Sequence, residues 1–326
     1  MRCTLLVTTY NWPTALAAVL ASVRRQSRLP DEVVVADDGS GEDTRALLMA
    51  QARDFPTALR HVWQADNGFR AASCRNRAIA ACRGAYVVCI DGDMVLHPHF
   101  IEDHLRLAEH GSFLQGGRVQ ATAGATERLL DGGRPAFAPW MEADFHAPHG
   151  DKRRHVVRLP WLARRKSHAA NAGVTVMSCN LSAWRADLLR VNGFDERMEG
   201  YGSEDLELDQ RLRNAGVRRR RLKFAGLAIH LQHASRAPVD PEDLSLPNNL
   251  ILRETAEQGA TWCEAGISTH LAEFAEPPPD LRDMAGTAPH EASGPDTSSD
   301  LARTTWLGRV LRNTPSSPRS RMRPAA

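Results

Sequence analysis

The segment "CIDGDMV", residues 89–95, ends an apolar run with two carboxylates one residue apart. On a continuing strand Asp91 and Asp93 would point to the same side, where two anions repel unless a cation sits between them. Oxygen ligands of this kind suit Mg²⁺ or Mn²⁺, and such an ion can bridge the two phosphates of a nucleoside diphosphate. A second acidic group occurs in "GFDERMEGYGSEDLELD", residues 193–209. Glu204 and Asp205 would open a helix there, where the macrodipole favours ionised carboxylates, with Tyr201 and two glycines shaping a pocket. In "AIHLQHASR", His230 and His233 stand three apart on a strand or loop, and residue type alone gives neither a role.

The elements that must position these groups follow from periodicity. Residues 3–10, 32–39, 59–65 and 85–93 read as buried strands. Between them, 13–26, 43–55 and 71–84 read as helices, the first opened by Pro13 and the last closed by Gly84. Strand and helix in alternation predict right-handed crossovers and a mostly parallel, Rossmann-like α/β sheet that binds ligands beyond the carboxyl ends of its strands. Tyr10, Asp38 and Asp91 to Asp93 fall at those ends. Further on, 172–194 reads as a strand and then a helix, and 203–216 as a helix opened by Ser203.

The expected division is a nucleotide-binding half (1–115), a mobile basic insert (116–171), an acceptor and catalytic half (172–260) and a disordered tail (277–326), rich in Pro, Ser, Asp and Arg. In the insert, "DKRRHVVRLPWLARRK" (151–166) interleaves Lys152, Arg153, Arg154, Arg158, Arg164, Arg165 and Lys166 with Trp161 and aliphatic residues. Residues 303–313, with Trp306, repeat that mixture on a smaller scale. These basic, apolar segments suggest peripheral contact with an anionic membrane or an anionic acceptor.

Balanced charge, 41 Lys+Arg against 39 Asp+Glu, gives no global field for nucleic acid. The six cysteines show no CxxC pair and no zinc-type spacing, which suggests reduced thiols in the cytoplasm. No stretch approaches the roughly 20 apolar residues of a membrane span, and the short apolar start does not read as a signal peptide. A soluble protein, peripheral to the inner membrane at most, is expected.

"VTTYNWP", "VVVADDGSGEDT", "NGFRAASCRNRAI", "CIDGDM" and "GFDERMEGYGSEDLELDQRLRNAG", in this order, resemble glycosyltransferase family two on a GT-A fold. The last segment also resembles β-1,4-galactosyltransferases and chondroitin-type polymerases. The likeness spans approximately residues 3–236 and implies roles residue by residue. Thr8, Tyr10 and Asp38 would face the nucleoside, and Arg75 would reach the base or phosphates. Asp91 and Asp93 match the family's DxD, Asp93 being the firmer metal ligand. His233 matches the later metal-binding histidine, with His230 a second candidate. Asp205 matches the catalytic base, and Glu204 would bind donor sugar or acceptor, with Tyr201 and Asn180 also assigned to substrate. Tyr201 replaces the Trp usual in the galactosyltransferase branch, so acceptor identity does not carry over.

The chemistry implied is metal-dependent, inverting transfer from a nucleotide sugar, expected to be a UDP-sugar, to a hydroxyl of a glycan or lipid-linked glycan. Two other classes stay open at this point. A nucleotidyltransferase would need a Gly- and basic-rich triphosphate loop after the first strand, which "TTYNWPTALA" lacks. A non-catalytic carbohydrate-binding or scaffold protein would share the fold without the chemistry.

Overall fold

Leu5 and Val7 pack into one apolar cluster and Leu6 into another, because a sheet covered on both faces buries alternate residues in opposite directions. The computed structural model describes residues 1–135, 137, 145–146, 157–167, 176–234 and 240–285. Its strands are β1 (Cys3–Thr9), β2 (Glu32–Asp37), β3 (Ala58–Trp63), β4 (Tyr86–Asp91), β5 (Met94–Leu96), β6 (Ser112–Gln115), β7 (Val119–Ala121), β8 (Phe145–His146), β9 (Asn180–Trp184), β10 (Arg218–Arg221) and β11 (Ala228–His230). Its helices are α1 (Pro13–Val23), α2 (Glu42–Ala52), α3 (Ala71–Ala81), α4 (Phe100–Leu107), α5 (Ala123–Leu130), α6 (Pro160–Lys166), α7 (Arg185–Arg190), α8 (Glu204–Asn214), α9 (Pro247–Gln258) and α10 (Leu281–Ala285).

Seven strands form the central sheet in the order β10-β6-β9-β4-β1-β2-β3, with β9 antiparallel to both its neighbours and every other pairing parallel. The alternation over the first ninety residues therefore yields the expected mostly parallel α/β sheet. Residues of α3, α7 and α8 cover one face with Ile79, Leu188, Leu208 and Leu212. Residues of α1, α2 and α4 cover the other with Leu16, Leu20, Leu48 and Phe100. A smaller sheet, β5-β11-β7-β8, stands beyond the carboxyl end of β4. All six cysteines are buried and unpaired.

Several expectations need correction. The strand expected over 85–93 stops at Asp91, turns at Gly92 and Asp93, and resumes as β5 in the second sheet. The Gly92 N–H donates to the Thr8 carbonyl at 2.6 Å, and a Cβ at that position would stand 2.9 Å from the same oxygen. Glycine is what lets the chain leave the sheet so close to β1. Gly84 does not close α3, which stops at Ala81 with Cys82 extended; the Gly84 N–H donates to Thr4 and Glu32 instead.

The insert is not a structureless loop in its described parts, since β7, α5 and α6 lie within it. Residues 278–285, expected in a disordered tail, are also packed. Asp280 accepts from the Leu59 N–H on edge strand β3, Arg60 donates to the Pro278 carbonyl, and Leu281 of α10 is buried. A side chain that occupies an edge-strand N–H blunts unwanted pairing there. Lys152, Arg153, Arg154, residues 172–175, and the segment 303–313 with Trp306 lie outside the described residues. Among the described residues, no helix is long and apolar enough to cross a membrane.

Candidate active site

The carboxyl ends of β1, β2 and β4 meet at one end of the sheet, because parallel registry places Thr8 beside both Ala36 and Asp91. Asp38, just past β2, is buried, and its two carboxylate oxygens accept from the Gln64 amide at 2.6 Å and the Arg70 N–H at 2.9 Å. Burial raises its pKa, and those two hydrogen bonds oppose the rise. Tyr10 is exposed, and its hydroxyl donates to Asp66 at 2.8 Å. Thr8, Tyr10 and Asp38 thus stand at or just past the carboxyl ends of the neighbouring strands β1 and β2.

Arg75, on α3, is buried among acids rather than aimed into open space. Its Nη1 donates to Glu204 Oε1 at 3.2 Å and lies 3.7 Å from Asp205 Oδ1, while Nη2 lies 3.5 Å from Asp91 Oδ1. The guanidinium also sits 5.3 Å from the ring centroid of Phe194. Burial alone would lower the Arg75 pKa, but Asp205, Asp91 and Glu204 together raise it. Burial, with Asp93 and Asp205 nearby, lifts the Asp91 carboxyl to about 6 against the pull of Arg75. Glu204 is shifted upward by burial and by Asp205.

The two aspartates of "DGD" face different partners. Asp91 ends β4 beside Arg75, whereas Asp93 Oδ2 lies 3.3 Å from His230 Nε2 and 3.2 Å from His233 Nε2. The Asp93, His230 and His233 ligand atoms all lie within 4.8 Å of one another, and among the described residues no other His, Cys, Asp or Glu joins them. The pairing of β11 with β5 makes the group: His230 is opposite Met94, and the Leu231 N–H donates to the Asp93 carbonyl at 2.9 Å. Asp93 Oδ1 and His230 Nδ1 are buried without a hydrogen-bond partner. One carboxylate with two imidazoles is a donor set that suits Mn²⁺ and other divalent ions.

Asp205 lies in the first turn of α8. Its Oδ2 accepts from the Ser178 N–H at 2.8 Å, and its Oδ1 is buried with no hydrogen-bond partner. Ser203, expected to cap this helix through its side chain, makes no such cap: it takes φ 68° and gives its hydroxyl to Asn249. Tyr201 is exposed, its ring edge-on to Phe69 at 6.0 Å.

Asn180, assigned to substrate, does not face the cleft. It is fully buried in β9, with Nδ2 donating to the carbonyls of Gly117 at 2.7 Å and Gly226 at 3.0 Å, and Oδ1 against His104 Nε2 at 3.1 Å. Its amide is spent on tying three backbone segments together. Sequence reasoning missed Arg118, whose Nη1 donates to Cys179 at 3.2 Å and whose charge acts on Asp91 and Asp93. It also missed Ser178, which holds Asp205 by its backbone. Neither residue type nor spacing signals either one.

A mostly parallel sheet with carboxylates gathered beyond β4, and a short second sheet returning histidines to them, defines the GT-A class of fold. The sequence places the chain more narrowly. Residues 4–132 match the family described as Glycosyl transferase family 2, and residues 160–234 match the one described as N-terminal domain of galactosyltransferase. The resemblance read from the motifs holds: the first of these stretches is similar to family 2 glycosyltransferases and the second to the galactosyltransferase domain.

Among relatives, the chain is 29% identical over 235 residues to validoxylamine A glucosyltransferase of Streptomyces hygroscopicus subsp. limoneus, covering 65% of this chain and 48% of that one. It is 33% identical over 106 residues to chondroitin synthase of Escherichia coli, covering 32% of this chain and 15% of that one. In fold it is similar to S. aureus TarS 1-349, solved in complex with UDP-GlcNAc, with TM-score 0.54 and 19% identity over 84% of this chain and 72% of that one. The chain spans about half the length of the Streptomyces relative and a small part of the chondroitin synthase.

Proposed function

We propose that this protein is an inverting glycosyltransferase that moves a sugar from a nucleotide sugar, a UDP-sugar in our reading, to a hydroxyl of a glycan or lipid-linked glycan, with Mn²⁺ or Mg²⁺ as cofactor. The observation that carries the proposal is the buried Oδ1 of Asp205, which accepts no hydrogen bond and stands 3.7 Å from the Arg75 guanidinium that also meets Asp91 at the end of β4. A carboxylate oxygen without a donor of its own is available to take a proton.

In this reading the nucleoside lies along Thr8, Tyr10 and Asp38, and the diphosphate lies toward Asp91 and Asp93. Asp93, His230 and His233 would hold the metal, with Asp91 beside them. When bound, the ion supplies positive charge that stabilises the departing diphosphate. An alcohol is a poor nucleophile at neutral pH. Asp205 Oδ1 accepts the acceptor's hydroxyl proton as the oxygen attacks the anomeric carbon opposite the leaving group. The C–O bond to the diphosphate breaks as the new one forms, through an oxocarbenium-like state, so one displacement inverts the centre and no covalent nucleophile is needed. Arg75 keeps Glu204 and Asp205 from repelling each other out of position, and Glu204 faces donor sugar or acceptor.

The donor-bound TarS neighbour and the glucosyltransferase relative support the choice of a nucleotide sugar. Contact with an anionic membrane is supported by α6, which exposes Trp161, Arg164, Arg165 and Lys166. A panel of nucleotide sugars, assayed with Mn²⁺ for release of nucleoside diphosphate, tests the central claim. No consumption of any of them would overturn it.

A further inference from the structure

The loop that leads into Glu204 and Asp205 cannot hold its own shape. Gly200, Gly202 and Ser203 all take left-handed backbone conformations, with φ of 77°, 115° and 68°, and for serine that conformation is unfavourable without outside support. The support comes from two adjacent asparagines in the first turn of α9, both buried and both outside the ranges matched by the two families. Asn248 Nδ2 donates to the carbonyls of Glu199 at 3.1 Å and Gly202 at 2.9 Å. Asn249 Oδ1 accepts from the Ser203 hydroxyl, and its Nδ2 donates to the carbonyls of Asp240 and Asp243, each at 2.8 Å. Two turns further along α9, Thr255 donates to Glu207 of α8 at 2.9 Å, so the two helices are fixed to each other by side chains.

We propose that Asn248 and Asn249 are positioning residues for Glu204 and Asp205, an inference that rests on the reading of Asp205 as the base. Neither amide has a donor left for substrate. Each donor of Asn248 and Asn249 already meets a backbone carbonyl, and a single α9 turn thereby joins the loop at 199–203 to the turn at 240–243. Loss of the Asn249 bond to Ser203 frees the residue that sets the direction in which α8 starts, and with it the placing of Asp205 Oδ1. Misplacement of a catalytic group by a fraction of an ångström lowers turnover without touching the donor site.

The test uses the full chain with Asn249→Ala, Asn248→Asp, Ser203→Ala and Ser203→Gly. Asn249→Ala is expected to lower kcat on the order of 10-fold while calorimetric affinity for UDP with Mn²⁺ stays within about twofold. Asn249→Ala and Ser203→Ala should be strongly non-additive, because both remove one hydrogen bond. Ser203→Gly, which takes a positive φ freely, should lose less than Ser203→Ala. Independently of turnover, amides of residues 200–207 in Asn249→Ala should exchange with deuterium roughly 10-fold faster, with those of β1 and β4 unchanged.

Unchanged exchange at 200–207, unchanged kcat, or a parallel fall in UDP affinity, thermal stability and kcat would each overturn the positioning role. A wild-type enzyme that consumes no nucleotide sugar would instead defeat the reading of Asp205, and the exchange measurement still decides the clamp.

Discussion

Arg75 Nη2 lies 3.5 Å from Asp91 Oδ1, so the acid that ends β4 is ion-paired from α3 rather than grouped with Asp93. The same guanidinium reaches Glu204 and Asp205, which makes one buried cation the joint between the acid that ends β4 and the two acids that open α8. Removing it would leave three carboxylates facing one another at low dielectric, the costly half of a buried ion pair. Arg75→Ala should therefore lower both stability and turnover of the UDP-sugar donor. Arg75→Lys, which keeps the charge but offers one ammonium in place of a planar fork, should recover folding more fully than rate. Thermal melts beside initial rates check this, and full recovery of rate by lysine would refute it.

Asp93→Ala should abolish the enhancement of UDP binding by Mn²⁺, since Asp93 is the carboxylate that meets both His230 and His233. Calorimetry with UDP, with and without Mn²⁺, measures this. An enhancement that survives removes Asp93 from the metal site.

Asp205→Asn preserves size and removes the proton acceptor. Turnover should fall by roughly 10²-fold or more with UDP affinity nearly unchanged. A variant that transfers sugar at close to the wild-type rate would reduce Asp205 to a helix-start acid.

His104 is buried beneath the sheet between Ser182 Oγ at 2.8 Å and Asn180 Oδ1 at 3.1 Å. Burial lowers its pKa from 6.5 to about 4, against the opposing field of Asp103. The unfolded chain then binds the proton more readily than the folded one. Stability from this group is complete above pH 6.5 and declines as pH falls toward 4, by about 3 kcal/mol in total. Urea midpoints between pH 7 and pH 4 should show that decline, and His104→Gln should flatten it while lowering stability at pH 7. An unchanged slope would exclude His104 as its source.

Membrane contact is open to direct measurement. Basic side chains near an anionic leaflet contribute about 1 kcal/mol each, and Trp161 is 67% exposed beside three of them. Co-sedimentation should show binding to anionic but not neutral vesicles, weakened by salt. Reversing Arg164, Arg165 and Lys166 to Glu should reduce it by roughly 10²-fold or more. No sedimentation with either vesicle would end the idea.

By itself, the sequence determined the first ninety residues almost element by element. Apolar runs such as "TLLV" and "EVVVA", alternating with helical patterns, read as strands covered on both faces, and right-handed crossovers then bring Thr8, Asp38 and Asp91 to one end. Local chemistry also marked Glu204 and Asp205 as the start of a helix. Periodicity could not show that the strand breaks at Gly92, because a close approach to the Thr8 carbonyl is a contact between distant residues.

The tertiary structure alone decided which groups share a site. His230 meets Asp93 only through the antiparallel pairing of β11 with β5, Arg75 turns to Glu204 and Asp205 rather than to open space, and Asn180 is consumed by Gly117, Gly226 and His104. The physical reason is the same in each case. Hydrogen bonds and ion pairs between segments far apart in sequence are fixed by packing and register, and those leave no trace in residue type or local spacing.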